Sequence, residues 1–178
     1  MKILRRMLLV VSLIALGSLL TACSEIVGSI KEQVDAQDEL IAYIDDSNPV
    51  IEAAVDAEIA ADEFVFMEED LESAYTYLIE TTIPTLEKVV EDTDAIVIKM
   101  EELQPSHDKL IEAHKKLLEA YSTYADGYYD GDESLLEKGD LLYEEYGEIY
   151  DEHETLFTEL AKKYSLEVEI EEVDLNNN

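Results

Sequence analysis

The sequence predicts an all-α protein, an up-and-down antiparallel bundle of four or five helices with a short extended C-terminal tail. Three observations carry that expectation. Alanine, leucine, glutamate and lysine dominate, and only six glycines and three prolines punctuate 178 residues, as long helices require. Apolar residues recur three and four positions apart over long stretches, which places them on one face of a helix. The Pro- and Gly-containing interruptions are spaced so that helix-length segments lie between them.

The first element is not part of the bundle. Met1 to Arg6 carry Lys2, Arg5 and Arg6, and the sixteen residues that follow, "MLLVVSLIALGSLLTA", hold no charge. A basic start, an apolar run and small residues at its end are the pattern of an export signal. The run is shorter than the roughly 20 apolar residues a spanning helix needs, so residues 1–22 are expected to be removed rather than to stay as an anchor. Leu20-Thr21-Ala22-Cys23 follows, with the only cysteine of the chain at its end. This motif resembles the lipobox of bacterial lipoproteins. The resemblance implies that residues 1–22 are a lipoprotein signal peptide and that Cys23 becomes the mature N-terminus and site of lipid attachment. It also implies that acyl chains such as palmitate hold the protein on the extracytoplasmic face of the cell membrane. Two or three acyl chains bind a bilayer far more firmly than the single chain that gives marginal affinity. With no second cysteine, no disulfide within the chain supports the fold.

The bundle is expected over residues 23–164, with helices near 25–46, 49–80, 84–103, 106–125 and 133–164. "DDSNPV" around Pro49 offers the capping-type residues Ser47 and Asn48, "TTIPT" holds Pro84, "LQPSHD" holds Pro105, and "DGYYDGDES" makes the last break. Pro84 either ends a helix or kinks a longer one. Leu110, Ile111, His114, Leu117, Leu118, Tyr121 and Tyr124 form one apolar face. Leu142, Tyr143, Tyr146, Ile149, Tyr150, His153, Leu156, Phe157 and Leu160 form another. Residues 165–178 are an acidic, extended or disordered tail: "SLEVEIEEVDL" alternates apolar and polar at Leu166, Val168 and Ile170, the period of a strand that has no evident partner in a helical protein.

Charge limits the partners. Twelve basic residues face 44 acidic ones, a formal net charge of −32. Beyond Arg6 every cation is a lysine, so the bidentate guanidinium fork that best grips phosphate is missing from the bundle. Nucleic acid, whose binding rests on clustered cations, is therefore not an expected partner. The membrane, reached through the N-terminal lipid, and an unknown envelope component or basic protein are. Much of the acid is expected to serve as a solvating coat.

Two constellations suggest cations. Asp126, Asp130, Asp132 and Glu137 lie in a twelve-residue stretch that resembles the EF-hand loop, with Asp126 at its first position, Asp130 at its fifth, Gly131 at the turn and Glu137 at its last. Tyr128 and Glu133 depart from that pattern at the third and eighth positions, and an ordinary turn with Asp132 capping the last helix is the competing reading. His107 and His153 face one another if the last two helices form a hairpin about residue 129, and with a carboxylate they are a candidate zinc pair. The competing reading is that His107, His114 and His153 are hydrogen-bonded core residues. A carboxylate-bridged di-iron bundle is excluded, because Gln104, Ile111 and Tyr150 stand where Glu-x-x-His needs glutamate. Eleven tyrosines, among them Tyr121, Tyr124, Tyr128, Tyr143, Tyr146 and Tyr150 at helical spacing, are expected mainly to pack the core.

No phosphate-cradling glycine loop, nucleophile elbow or HExxH occurs. The chain is similar to small, all-helical, acidic lipoproteins of Gram-positive bacteria whose function is uncharacterised, some of them described as cell-wall-binding proteins. The expected function is that of a non-enzymatic, lipid-anchored interaction module with no cofactor. The alternative is a lipoprotein that binds calcium, zinc or a small ligand at the 126–137 stretch or the histidine pair.

Overall fold

The computed structural model describes residues 6–10, 24–65 and 70–173. The junction at Cys23 lies outside them. Among the described residues no helix is long and apolar enough to cross a membrane.

Helix α1 spans Ser24–Val65, and Pro49 does not break it. The expected boundary between 46 and 49 is thus corrected to a single 42-residue helix. Interior proline costs about 3 kcal/mol in a lost hydrogen bond and a ring clash. Pro49 is exposed, and so is Asp45, whose carbonyl loses its i+4 donor, so water can satisfy that group. Buried Leu40, Tyr43, Ile44, Ile51, Ala54 and Val55 on both sides hold the helix in register against the core.

The interruption falls further on. Helix α2 spans Leu71–Tyr77 and is capped by Asp70, whose carboxylate accepts from the Glu72 N–H at 3.3 Å and from the Ser73 hydroxyl at 2.6 Å. A π-helical turn, Leu78–Thr82, leads directly into α3, Ile83–Asp94. The Ile83 N–H bonds to the Leu78 carbonyl five residues back. Widening the helix there makes room for Pro84 in the first turn of α3, so the proline does not end the helical run. Ala74, Leu78, Thr82, Leu86, Val89 and Thr93 keep one buried face through all three segments.

The expected helix over 84–103 stops at Asp94. Ile96 to Lys99 are non-helical, with three β-branched residues in a row that lose χ1 freedom in a helix, and Lys99 reaches Glu39 of α1 at 3.6 Å. A 3₁₀ turn, Glu101–Leu103, then opens α4, Gln104–Asp130, with Pro105 in its first turn.

Helices α4 and α5 (Glu133–Lys163) form a hairpin with the most extensive contact in the molecule. Gly131 adopts φ 64°, ψ 33° after α4, and the Asp132 N–H closes back on the Gly127 carbonyl at 3.0 Å. Asp132 then caps α5 by accepting from the Ser134 N–H at 2.9 Å, so the link is two residues long. Close approach needs glycine: a Cβ on Gly139 would meet the Tyr124 ring at 2.5 Å. In contrast, α1 meets this hairpin through long side chains rather than by close backbone approach. Of the expected core face of α5, Leu156 is corrected to an exposed residue.

After α5, Ser165 takes φ 56° and the Leu166 N–H returns to the Ala161 carbonyl at 2.9 Å, burying Leu166. Gln37 of α1 donates to the Tyr164 carbonyl at 2.7 Å and ties the C-terminal end of α5 to α1. The tail is not left without a strand partner: β1 (Arg6–Val10) pairs antiparallel with β2 (Glu169–Val173), Arg6 opposite Val173 and Val10 opposite Glu169. An extended segment of alternating residues exposes unpaired backbone groups, and Arg6–Val10 pairs with them along one edge.

Candidate functional site

The residues expected to bind calcium do not form a loop. Asp126 and Asp130 belong to the last turns of α4, and Glu137 lies in the second turn of α5. Asp132 is occupied as the α5 cap, accepting from both the N–H and the hydroxyl of Ser134, the latter at 2.7 Å, and these donors hold its carboxyl below its ordinary range. The EF-hand expectation is corrected on this geometry, because helix propagates up to Gly131 and restarts at Glu133, leaving no twelve-residue loop to wrap an ion.

The histidines are buried, as core residues would be: His107 is 2% exposed, His114 1% and His153 0%. The structure does gather His107 and His153 around one ring. Tyr43 of α1 places its hydroxyl 3.4 Å from His107 Nδ1, and its ring centroid lies 5.7 Å from that of His107 and 6.4 Å from that of His153. His153 Nδ1 donates to the Ser106 carbonyl at 2.8 Å, and the Ser106 hydroxyl donates to the His153 carbonyl at 3.1 Å. That reciprocal pair locks α4 to α5 and assigns the ring proton to Nδ1, leaving Nε2 as a buried acceptor without a hydrogen bond. Burial, aided by the nearby His107, pushes His153 down to about 4 against the pull of its Ser106 bond, and burial also lowers His107. His114 is held from α3: the Thr93 hydroxyl donates to the Val89 carbonyl at 2.7 Å, so His114 Nδ1 donates to Thr93 Oγ1 at 2.7 Å. A zinc site needs a third ligand. Among the described residues no group of three or more His, Cys, Asp or Glu is arranged to hold a metal ion.

The tyrosines build a continuous aromatic seam. Tyr124, Tyr121, Tyr143, Tyr146 and Tyr150 follow one another with ring centroids 5.8 to 6.4 Å apart at angles of 70° to 83°, and His153 and Phe157 extend the row. Edge-to-face pairs of this kind contribute about 0.5–1.5 kcal/mol each beyond area burial. Tyr121, Tyr124, Tyr146 and Tyr150 are buried, so the seam is packing rather than an open stacking platform. It also explains how α1 is held at a distance from the hairpin. Glu58 of α1, 1% exposed, accepts from Tyr143 at 2.6 Å and from Tyr146 at 2.8 Å. Reading the sequence did not single out Glu58 among 44 acidic residues, although its place in line with Ile51, Ala54, Ala61 and Val65 on the apolar face of α1 was a signal.

The surface is where the charge is unbalanced. Lys109 joins Glu112 at 2.8 Å on α4 to Glu152 at 2.9 Å on α5, and Lys116 joins Glu119 at 2.8 Å to Glu145 at 3.2 Å in the same way. Lys88 pairs with Asp92 at 2.7 Å, and Lys163 pairs with Glu102. Exposed pairs like these contribute at most about 1 kcal/mol each, but they occupy four of the lysines and leave the excess carboxylates to solvent.

No family model, no curated protein sequence and no solved structure matches this chain.

Proposed function

We propose that this protein is a non-enzymatic helical interaction module, lipid-anchored through Cys23 to the extracytoplasmic face of a bacterial cell membrane, that binds a basic protein or envelope component. The carrying observation is the surface: Lys88 of α3, Lys109 and Lys116 of α4 and Lys163 of α5 sit in ion pairs within the chain, while carboxylates outnumber cations 44 to 12. Such a field attracts cationic partners and repels anionic ones. The interior supports the same reading, since its histidines and tyrosines bond to Ser106, Thr93 and Glu58 and hold helices together. On this reading Arg6–Val10 leaves with the signal peptide, and the terminal strand pair belongs to the precursor.

The test is expression of the full chain and of Cys23→Ser in a Gram-positive host, with palmitate labelling, membrane fractionation and crosslinking. The expected result is label and membrane retention for the native chain only, with a basic partner crosslinked. Retention and labelling of Cys23→Ser, or the absence of any crosslinked partner, would overturn the proposal.

A further inference from the structure

Where α1 ends and α2 begins, a groove of about 380 Å³ opens to solvent, lined chiefly by Phe64, Asp70, Glu72, Thr76, Tyr77 and Glu80. Phe64 and Tyr77 stack with centroids 4.4 Å apart and planes inclined by 19°, and Phe64 remains 41% exposed. Among the described residues, Asp70, Glu72 and Glu80 line the groove together with this ring pair, and no lysine does. Asp70 is held in its charged form by the Ser73 hydroxyl and by backbone N–H groups.

We propose that this groove is the docking surface for a lysine- or arginine-bearing segment of a basic polypeptide. The inference rests on the interaction-module reading and gives that module a place and a recognition chemistry. Charge complementarity selects the occupant. An ammonium or guanidinium group is attracted to the exposed face of an aromatic ring, and its aliphatic stem covers apolar surface that is costly to leave wet. Glu72 and Glu80 lie two turns apart on α2 and its π-helical continuation, so they flank a side chain laid over Tyr77. Anionic polymers are repelled by the same three carboxylates. The location suits capture of a partner away from the bilayer, because α1 starts one residue after Cys23 and runs about 63 Å at 1.5 Å per residue, which puts the groove at the end of α1 far from the lipid.

The test uses the full chain in detergent micelles and a fluorescein-labelled octalysine peptide, read by fluorescence anisotropy at about 150 mM salt, where diffuse attraction is largely screened. Two groove variants, Glu72→Gln/Glu80→Gln and Tyr77→Leu, are compared with Asp151→Asn/Glu159→Gln, which removes the same charge from an exposed face of α5. Circular dichroism verifies that each variant is folded. The expected result is about a fivefold loss of affinity for the groove carboxylate pair, a measurable loss for Tyr77→Leu, and less than about a twofold change for the α5 pair. Equal losses in the two charge-matched variants, or no binding by the native chain, would overturn the groove. If crosslinking in membranes recovers the same basic partner from native and groove-variant proteins, the groove is wrong and the interaction module stands. If no partner is recovered from either, the interaction module itself fails.

Discussion

Tyr146 of α5 donates to Glu58 of α1 at 2.8 Å, and both residues are 1% exposed. Removing a buried donor takes from the Glu58 carboxyl one of the hydrogen bonds that offset its burial. Tyr146→Phe is expected to destabilise the bundle by about 1–3 kcal/mol. Tyr143→Phe, at a half-buried position where water can replace the lost hydroxyl, is expected to cost less. Urea unfolding of both variants checks the order, and equal or negligible effects would show that Glu58 does not depend on these hydroxyls.

His153 makes stability depend on pH in a direction opposite to the acidic surface. Its folded pKa, about 4, lies below its ordinary 6.5, so between those values the unfolded chain binds more protons and stability falls as pH falls. From pH 7 to pH 5 this group alone is expected to remove about 2 kcal/mol. Acidification meanwhile relieves carboxylate repulsion, which raises stability. The comparison of native chain with His153→Phe isolates the histidine: the variant is less stable at pH 7 because the Ser106 carbonyl loses its donor, but it should not share the acid-dependent loss. Parallel stability–pH curves for the two proteins would refute the assignment.

Gly139 is required by contact and Gly131 by conformation. Gly139→Ala drives a Cβ to 2.5 Å from a Tyr124 ring whose hydroxyl is tied to Asp140 at 2.7 Å, so the ring is not free to swing away. The expected cost is about 1–3 kcal/mol, more than the roughly 1 kcal/mol that alanine gains in helix propensity. At Gly131 an added Cβ meets nothing within 4 Å, but φ is +64°, so alanine there is expected to cost about 1–2 kcal/mol through backbone strain and asparagine less. Thermal unfolding of the three variants distinguishes the two causes.

Calcium should not act differently from magnesium. Asp126 and Asp130 are helical and the Asp132 carboxylate is already engaged. Both ions, and monovalent salt at higher concentration, are expected to raise the unfolding temperature by screening a net charge of −32. Glu137→Ala is expected to leave the response unchanged. A shift unique to calcium and lost in Glu137→Ala would restore the ion-binding reading of that segment.

Much of the fold was legible because it depends on local preferences and periodicity. The apolar faces of α4 and α5 and the Asp132 cap were readable from spacing and residue type, and α5 agrees with its expected span to within one residue. The breaks were less legible, because a proline reports only a local cost. At Pro49 burial on both sides outweighs it, and at Pro84 a π-turn absorbs it. Asp70 and Ser73 marked the real start of α2 but were lost in an acidic, helix-favouring stretch.

The sequence by itself determined that the chain is helical, acidic and free of internal disulfides, since composition, charge and cysteine count need no folding to be read. Only the tertiary structure decided what the polar residues do. It paired His153 with Ser106 across the hairpin, turned the tyrosines into one packed seam around the buried Glu58, and stacked Phe64 on Tyr77 beside three carboxylates. These are contacts between residues far apart in the chain or on separate helices. Their energies come from burial and mutual geometry, which no one-dimensional spacing rule contains.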